Sequence, residues 1–182
     1  MLTLAVAAIF ALPNQPLIYV GAFLAMFGDI FVLRKKTFNL GVVCFFLSHL
    51  AYIFECLFMI VGESQIRWFH HVIFILTYLV VALGMFAILR KGNKRSMLNM
   101  IAQSFYFAIL AVYLPVFSFA IKTIGSYMFL CLIGSVVFII SDAILVWTHF
   151  GHKFKRYDFY IMLTYLIAEF LIVAGFVLTL VA

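Results

Sequence analysis

Residues 125–148 read GSYMFLCLIGSVVFIISDAILVWT, a run of 24 positions carrying one formal charge, Asp142. A bilayer core about 30 Å thick takes about 20 apolar residues in helical form, so this stretch is long enough to cross it. Backbone polar groups in lipid must bond within the segment, and the run far exceeds the ~10 residues of a barrel strand, which leaves a transmembrane helix. Outward from it the pattern repeats. Apolar stretches at about 16–33, 38–61, 67–89, 97–121 and 157–181 are separated by short polar breaks, giving six long candidates. Met1 to Leu12 are apolar too, but stop at Pro13-Asn14-Gln15-Pro16 and lack the basic start of a signal peptide. They are expected to form a short or partly inserted first helix. The expected fold class is therefore all-α, a polytopic transmembrane bundle of about seven helices in one membrane domain over residues 1–182.

Composition points the same way. Of the 182 residues, 68% are apolar and 10% charged, with 23 phenylalanines, and mean hydropathy is +1.26. Soluble domains carry about 25% charged residues, and a chain this small cannot hide so much apolar surface from water. Ordinary soluble and disordered classes are excluded. Cys44, Cys56 and Cys131 are odd in number and lie inside apolar runs, so no disulfide framework is expected. The net charge of +6 sits in short clusters between the apolar runs, a distribution that serves membrane orientation rather than nucleic-acid binding. No glycine-rich phosphate loop or zinc-type Cys/His spacing is present, and no metal or cofactor is expected.

The loops set the expected orientation. Arg34, Lys35, Lys36, Arg90, Lys91, Lys94, Arg95, Lys153, Lys155 and Arg156 fall on one side if the segments alternate, leaving only Arg67 and Lys122 of the 12 Lys/Arg on the other. The basic side is assigned to the cytoplasm, and the C-terminus to the outside of a bacterial plasma membrane or an intracellular membrane.

Ionisable groups in hydrocarbon cost at least about 2.5–3.5 kcal/mol each, so each is a functional candidate. Asp29, His49, Glu55, Asp142 and Glu169 make up that set. Asp29 lies five residues before Arg34 and Asp142 seven before His149, about 7–8 Å and about 10 Å from the cytoplasmic ends of their helices. The two carboxyls share a depth and are expected to meet in the bundle. His49 and Tyr52 are three apart on one face, Tyr165 and Glu169 four apart. Glu55, nearer the outer end, reads as structural. Gly21-Ala22 and Gly28-Asp29 have the spacing of Gly134-Ser135 and Ser141-Asp142, and each Asp is followed 23 positions later by Tyr52 or Tyr165. This suggests two parallel repeats of three segments joined by a fourth. The small residues also serve close helix packing whether or not a repeat exists.

At these residues the chain resembles the lysoplasmalogenases, the YhhN-like membrane proteins. The similar stretches are Gly28-Asp29-Ile30-Phe31-Val32-Leu33, Gly41 with Phe46-Leu47-Ser48-His49-Leu50-Ala51-Tyr52, Gly134-Ser135 through Ser141-Asp142-Ala143-Ile144-Leu145, and Thr164-Tyr165-Leu166-Ile167-Ala168-Glu169. Order and spacing agree over roughly residues 16–175. The resemblance implies hydrolysis of the vinyl ether of lysoplasmalogens to a fatty aldehyde and glycerophosphoethanolamine or glycerophosphocholine, with Asp29 and Asp142 as catalytic residues. Two departures stand out: the family usually has about eight helices, and Glu169 stands where its pattern usually has glutamine.

Vinyl ethers hydrolyse by protonation of the carbon beta to oxygen, capture of the oxocarbenium ion by water and collapse of the hemiacetal. Two buried carboxyls held close cannot both ionise, so one serves as acid while the other orients water as base. His49, Tyr52, Tyr165 and Glu169 are the candidates for binding substrate or water, and the basic loops lie on the side where a lysophospholipid phosphate would rest. A small-solute transporter with proton-coupling carboxylates is the main rival. A metal-dependent hydrolase using Asp142, His149, His152 and His49 is a third reading. A retinal receptor is disfavoured, since 157–181 holds no lysine for a Schiff base.

Overall fold

The computed structural model describes residues 15–32, 34, 36–63, 68–91, 97–149 and 154–181. Six helices account for nearly all of them: α1 Pro16–Val32, α2 Phe38–Glu63, α3 Trp68–Lys91, α4 Met97–Thr123, α5 Met128–His149 and α6 Tyr157–Val181. Each coincides with an apolar run expected from the sequence, with ends displaced by at most a few residues. The segment over residues 1–12 lies outside the described residues, so the count of seven and the three-plus-one-plus-three repeat are not established.

Four of the helices contain stretches long and apolar enough to cross a membrane, Phe38–Val61, Gln103–Thr123, Met128–Leu145 and Tyr157–Val181. The protein is therefore an integral membrane protein. Two further helices have shorter apolar stretches over the described residues. Helix α1 has 17 residues, about 26 Å at helical rise. In α3 the described apolar stretch is Val72–Ala87, and Ile88-Leu89 continue it in the sequence up to Arg90.

Helix starts follow from local chemistry. Pro16 occupies the first helical position of α1, where a missing N–H costs nothing. The next donor, the Leu17 N–H, is taken by Glu55 Oε2 of α2 at 3.0 Å. That bond assigns Glu55 its structural role: a carboxylate from one helix caps the positive end of its neighbour. At the turn into α2, the Thr37 hydroxyl donates to the Phe31 carbonyl at 2.7 Å, closing the end of α1. Asp158 lies in the first turn of α6, where its charge complements the helix dipole.

Helices α1 and α2 pack closely as a pair, as do α5 and α6, while α3 packs on α4, and α4 bridges to α2 and α5. Small residues bring the partners close. A Cβ on Gly21 would sit 2.7 Å from the Tyr52 ring, and one on Gly28 2.7 Å from the Phe45 ring. A Cβ on Gly134 would sit 2.8 Å from the Ala168 carbonyl oxygen. Hydroxyls add bonds across these seams: Ser48 donates to the Gly21 carbonyl at 2.8 Å and Ser141 to the Ile161 carbonyl at 3.1 Å. Where lipid replaces water, such close approach and interhelical bonding hold helices together, since lipid tails are as apolar as the side chains they meet. The interior is mostly aromatic and aliphatic, with Tyr52, Tyr113, Phe117, Phe138 and Phe176 fully enclosed.

Candidate functional site

Into this interior the chain places nine buried polar or charged side chains among the described residues, and those that can ionise converge. Asp142, on α5, is 5% exposed and accepts a hydrogen bond from the Tyr106 hydroxyl of α4. The same hydroxyl lies 3.3 Å from His49 Nε2. His49 Nδ1 is 2.9 Å from the Tyr113 hydroxyl, which also lies 3.3 Å from the His49 carbonyl oxygen. Tyr106 and Tyr113 are seven apart, two turns of α4, so both rings face the same neighbours. His49 is fully buried and stands edge-on to Phe138 at 4.4 Å between centroids. A buried chain Asp142–Tyr106–His49–Tyr113 thus links α5, α4 and α2.

A second group adjoins it at Phe138. The Tyr52 hydroxyl of α2 donates to Glu169 Oε2 of α6 at 2.9 Å. Glu169 is fully buried, and its Oε1 has no hydrogen-bond partner. One turn before it, Tyr165 packs edge-on against Phe138 at 5.5 Å and against Phe45 at 5.6 Å. The Tyr165 hydroxyl is buried and turned toward the Asp29 carboxyl, with Glu169 close by. Asp29, near the end of α1, is partly exposed. Phe138 packs edge-on against both His49 and Tyr165, so one ring touches both groups.

All six candidates named from the sequence fall into these two groups. His49 and Asp142 belong to the first, and Tyr52, Tyr165, Glu169 and Asp29 to the second. The aspartates are not hydrogen-bonded to each other; Asp142 is held by Tyr106, and Asp29 faces Tyr165. The carboxyl within charge–charge range of both is Glu169. Tyr106 and Tyr113 were not singled out from the sequence. Their signal was two hydroxyl-bearing rings seven positions apart in an apolar run, facing the helix that carries His49.

Chemically, the first group offers a carboxyl joined to a histidine through a tyrosine, a connected path for a proton in a dry interior. The second offers a carboxyl with one oxygen held and one free, beside the Tyr165 hydroxyl and Asp29, the inventory needed to bind and orient a small polar group. Among the described residues, no group of three or more His, Cys, Asp or Glu side chains is placed to hold a metal ion. A family model, that of the YhhN family, matches residues 1–176. No curated protein and no solved structure matches the chain.

Proposed function

The chain belongs to the YhhN family, and from that premise we propose that it is a membrane-embedded hydrolase of the lysoplasmalogenase type, cleaving the vinyl ether of lysoplasmalogens. The observation that carries this reading is Asp142, a carboxyl enclosed in the bundle and joined to His49 through Tyr106. Vinyl ether cleavage begins with proton delivery to carbon, which a carboxylic acid shielded from water performs by general acid catalysis. It continues with a cation that needs a nearby anion and an oriented water. Asp29, with the Tyr165 hydroxyl turned toward it, and Glu169 close by supply those groups.

A lysophospholipid fits such a site. Its alkenyl tail is soluble among the lipid-facing side chains, and its phosphate stays at the interface. The basic residues Arg34, Lys36, Lys155 and Arg156 border the helix ends nearest the aspartates, on the side taken as cytoplasmic. Purified protein incubated with lysoplasmalogen is expected to release fatty aldehyde and leave the saturated alkyl-ether analogue untouched, since only the vinyl ether is activated by carbon protonation. Solute uptake into sealed vesicles without aldehyde release would instead support a transporter.

A further inference from the structure

Tyr113 makes two contacts with the same residue, one to the His49 ring at 2.9 Å and one to the His49 main-chain carbonyl at 3.3 Å. A hydroxyl both donates and accepts, so these two partners let Tyr113 meet the imidazole in either role. Both are accounted for when the hydrogens of the buried chain are placed in turn. With Asp142 ionised, Tyr106 donates to Asp142, His49 Nε2–H donates to Tyr106, and Tyr113 donates to Nδ1. With Asp142 protonated, every bond reverses: Asp142 donates to Tyr106, Tyr106 to Nε2, and Nδ1–H to Tyr113, whose own proton turns to the His49 carbonyl. Each arrangement satisfies the chain without moving a heavy atom, and the two differ by one proton.

We propose that Tyr113, His49 and Tyr106 form a proton relay that reloads Asp142 after each turnover. This deepens the proposed function and rests on Asp142 being the proton donor of that reaction. Asp142 gives its proton to the vinyl ether carbon, and the attacking water releases one on capture of the oxocarbenium ion. That proton arrives at the Tyr113 oxygen. The Tyr113 O–H proton passes to Nδ1, the Nε2 proton to Tyr106, and the Tyr106 proton to Asp142. One proton enters, one is restored to the carboxyl, and the imidazole exchanges tautomers with no net charge left in the interior. Tyr113 is suited to the entry position because it is the end of the hydrogen-bonded chain opposite Asp142, so a proton entering there crosses every link. Tyr106, His49 and Tyr113 are positioning residues; Asp142 alone among the four meets the substrate.

The test is rapid-quench kinetics on purified Tyr113→Phe with an ethanolamine lysoplasmalogen. The ring stacks on Phe117 at 5.1 Å between centroids and keeps that packing without its hydroxyl. The relay predicts a first turnover at the unaltered rate, about one aldehyde per protein, then a steady rate at least about tenfold lower. A steady rate equal to that of the unaltered protein overturns it, as does equal slowing of the first and later turnovers, the mark of a purely structural hydroxyl. Where Tyr113→Phe does not fold, His49→Gln is read by the same criteria, since it breaks the relay without removing the Tyr106–Asp142 bond. If the unaltered protein releases no aldehyde at all, the proposed function fails, and the relay is decided separately by infrared spectroscopy. The protonated-carboxyl band lost in Asp142→Asn then shifts in Tyr113→Phe if the relay is connected, and its indifference to that substitution overturns the relay.

Discussion

The Tyr52 hydroxyl and Glu169 are hydrogen-bonded at 2.9 Å across 117 positions of sequence, tying α2 to α6 at the centre of the bundle. The bond needs only an acceptor oxygen at Glu169, which glutamine also provides. Glu169→Gln is therefore expected to keep the thermal midpoint in detergent and retain aldehyde release within about tenfold. Glu169→Leu leaves the Tyr52 hydroxyl buried without a partner, costing about 1–3 kcal/mol, and lowers the midpoint. A Gln variant as unstable as the Leu variant would show that the charge, not the acceptor, is what α2 and α6 need.

Asp29 faces Tyr165 from α1 and is only partly exposed. Asparagine keeps its shape and removes its charge. Asp29→Asn is expected to fold normally, with an unchanged helical circular-dichroism signal, and to lose about 10²–10⁴-fold in kcat for aldehyde release. Turnover close to that of the unaltered protein would remove Asp29 from the catalytic account.

Two glycines make a stability contrast. Gly134 faces the Ala168 carbonyl oxygen, where an added Cβ would lie 2.8 Å from main chain that cannot swing aside. Gly84, on α3, has nothing within 4 Å of the same position. Gly134→Ala is expected to destabilise by about 1–3 kcal/mol through overpacking, and Gly84→Ala to stabilise by up to about 1 kcal/mol through helix propensity. Paired thermal melts in one detergent check both signs.

Glu55 caps α1 through the Leu17 N–H and belongs to neither polar group of the site. Glu55→Ala is expected to cost about 1 kcal/mol, as for loss of a helix cap. Its thermal midpoint falls while kcat for the folded protein stays unchanged. A large loss of kcat at an unchanged midpoint would move Glu55 into the site.

Much of this was legible in the sequence because charge in an apolar run stands out. Asp29, His49, Asp142 and Glu169 each interrupt long hydrophobic stretches, and the helix bounds follow the polar breaks to within a few residues. Tyr106 and Tyr113 were not legible, because a tyrosine scores as apolar by its ring while its hydroxyl acts as a polar group. They are 2 of 9 tyrosines, and only the rotation of α4 decides which hydroxyls point inward. Pairing was hidden for the same reason. Matched depth placed Asp29 and Asp142 at one level, yet depth fixes one coordinate of three, and each carboxyl found its own tyrosine. Close packing was better signalled, since Gly21, Gly28 and Gly134 lie where helices of the tight pairs touch.

The central claim is that Asp142 delivers the proton that starts cleavage, and it is tested most directly by aldehyde release from lysoplasmalogen measured side by side for the unaltered protein and Asp142→Asn. Asparagine can still accept the Tyr106 hydrogen bond but has no acidic proton to give. The account predicts a folded variant with turnover reduced about 10²–10⁴-fold. A folded variant that releases aldehyde at the rate of the unaltered protein would contradict it.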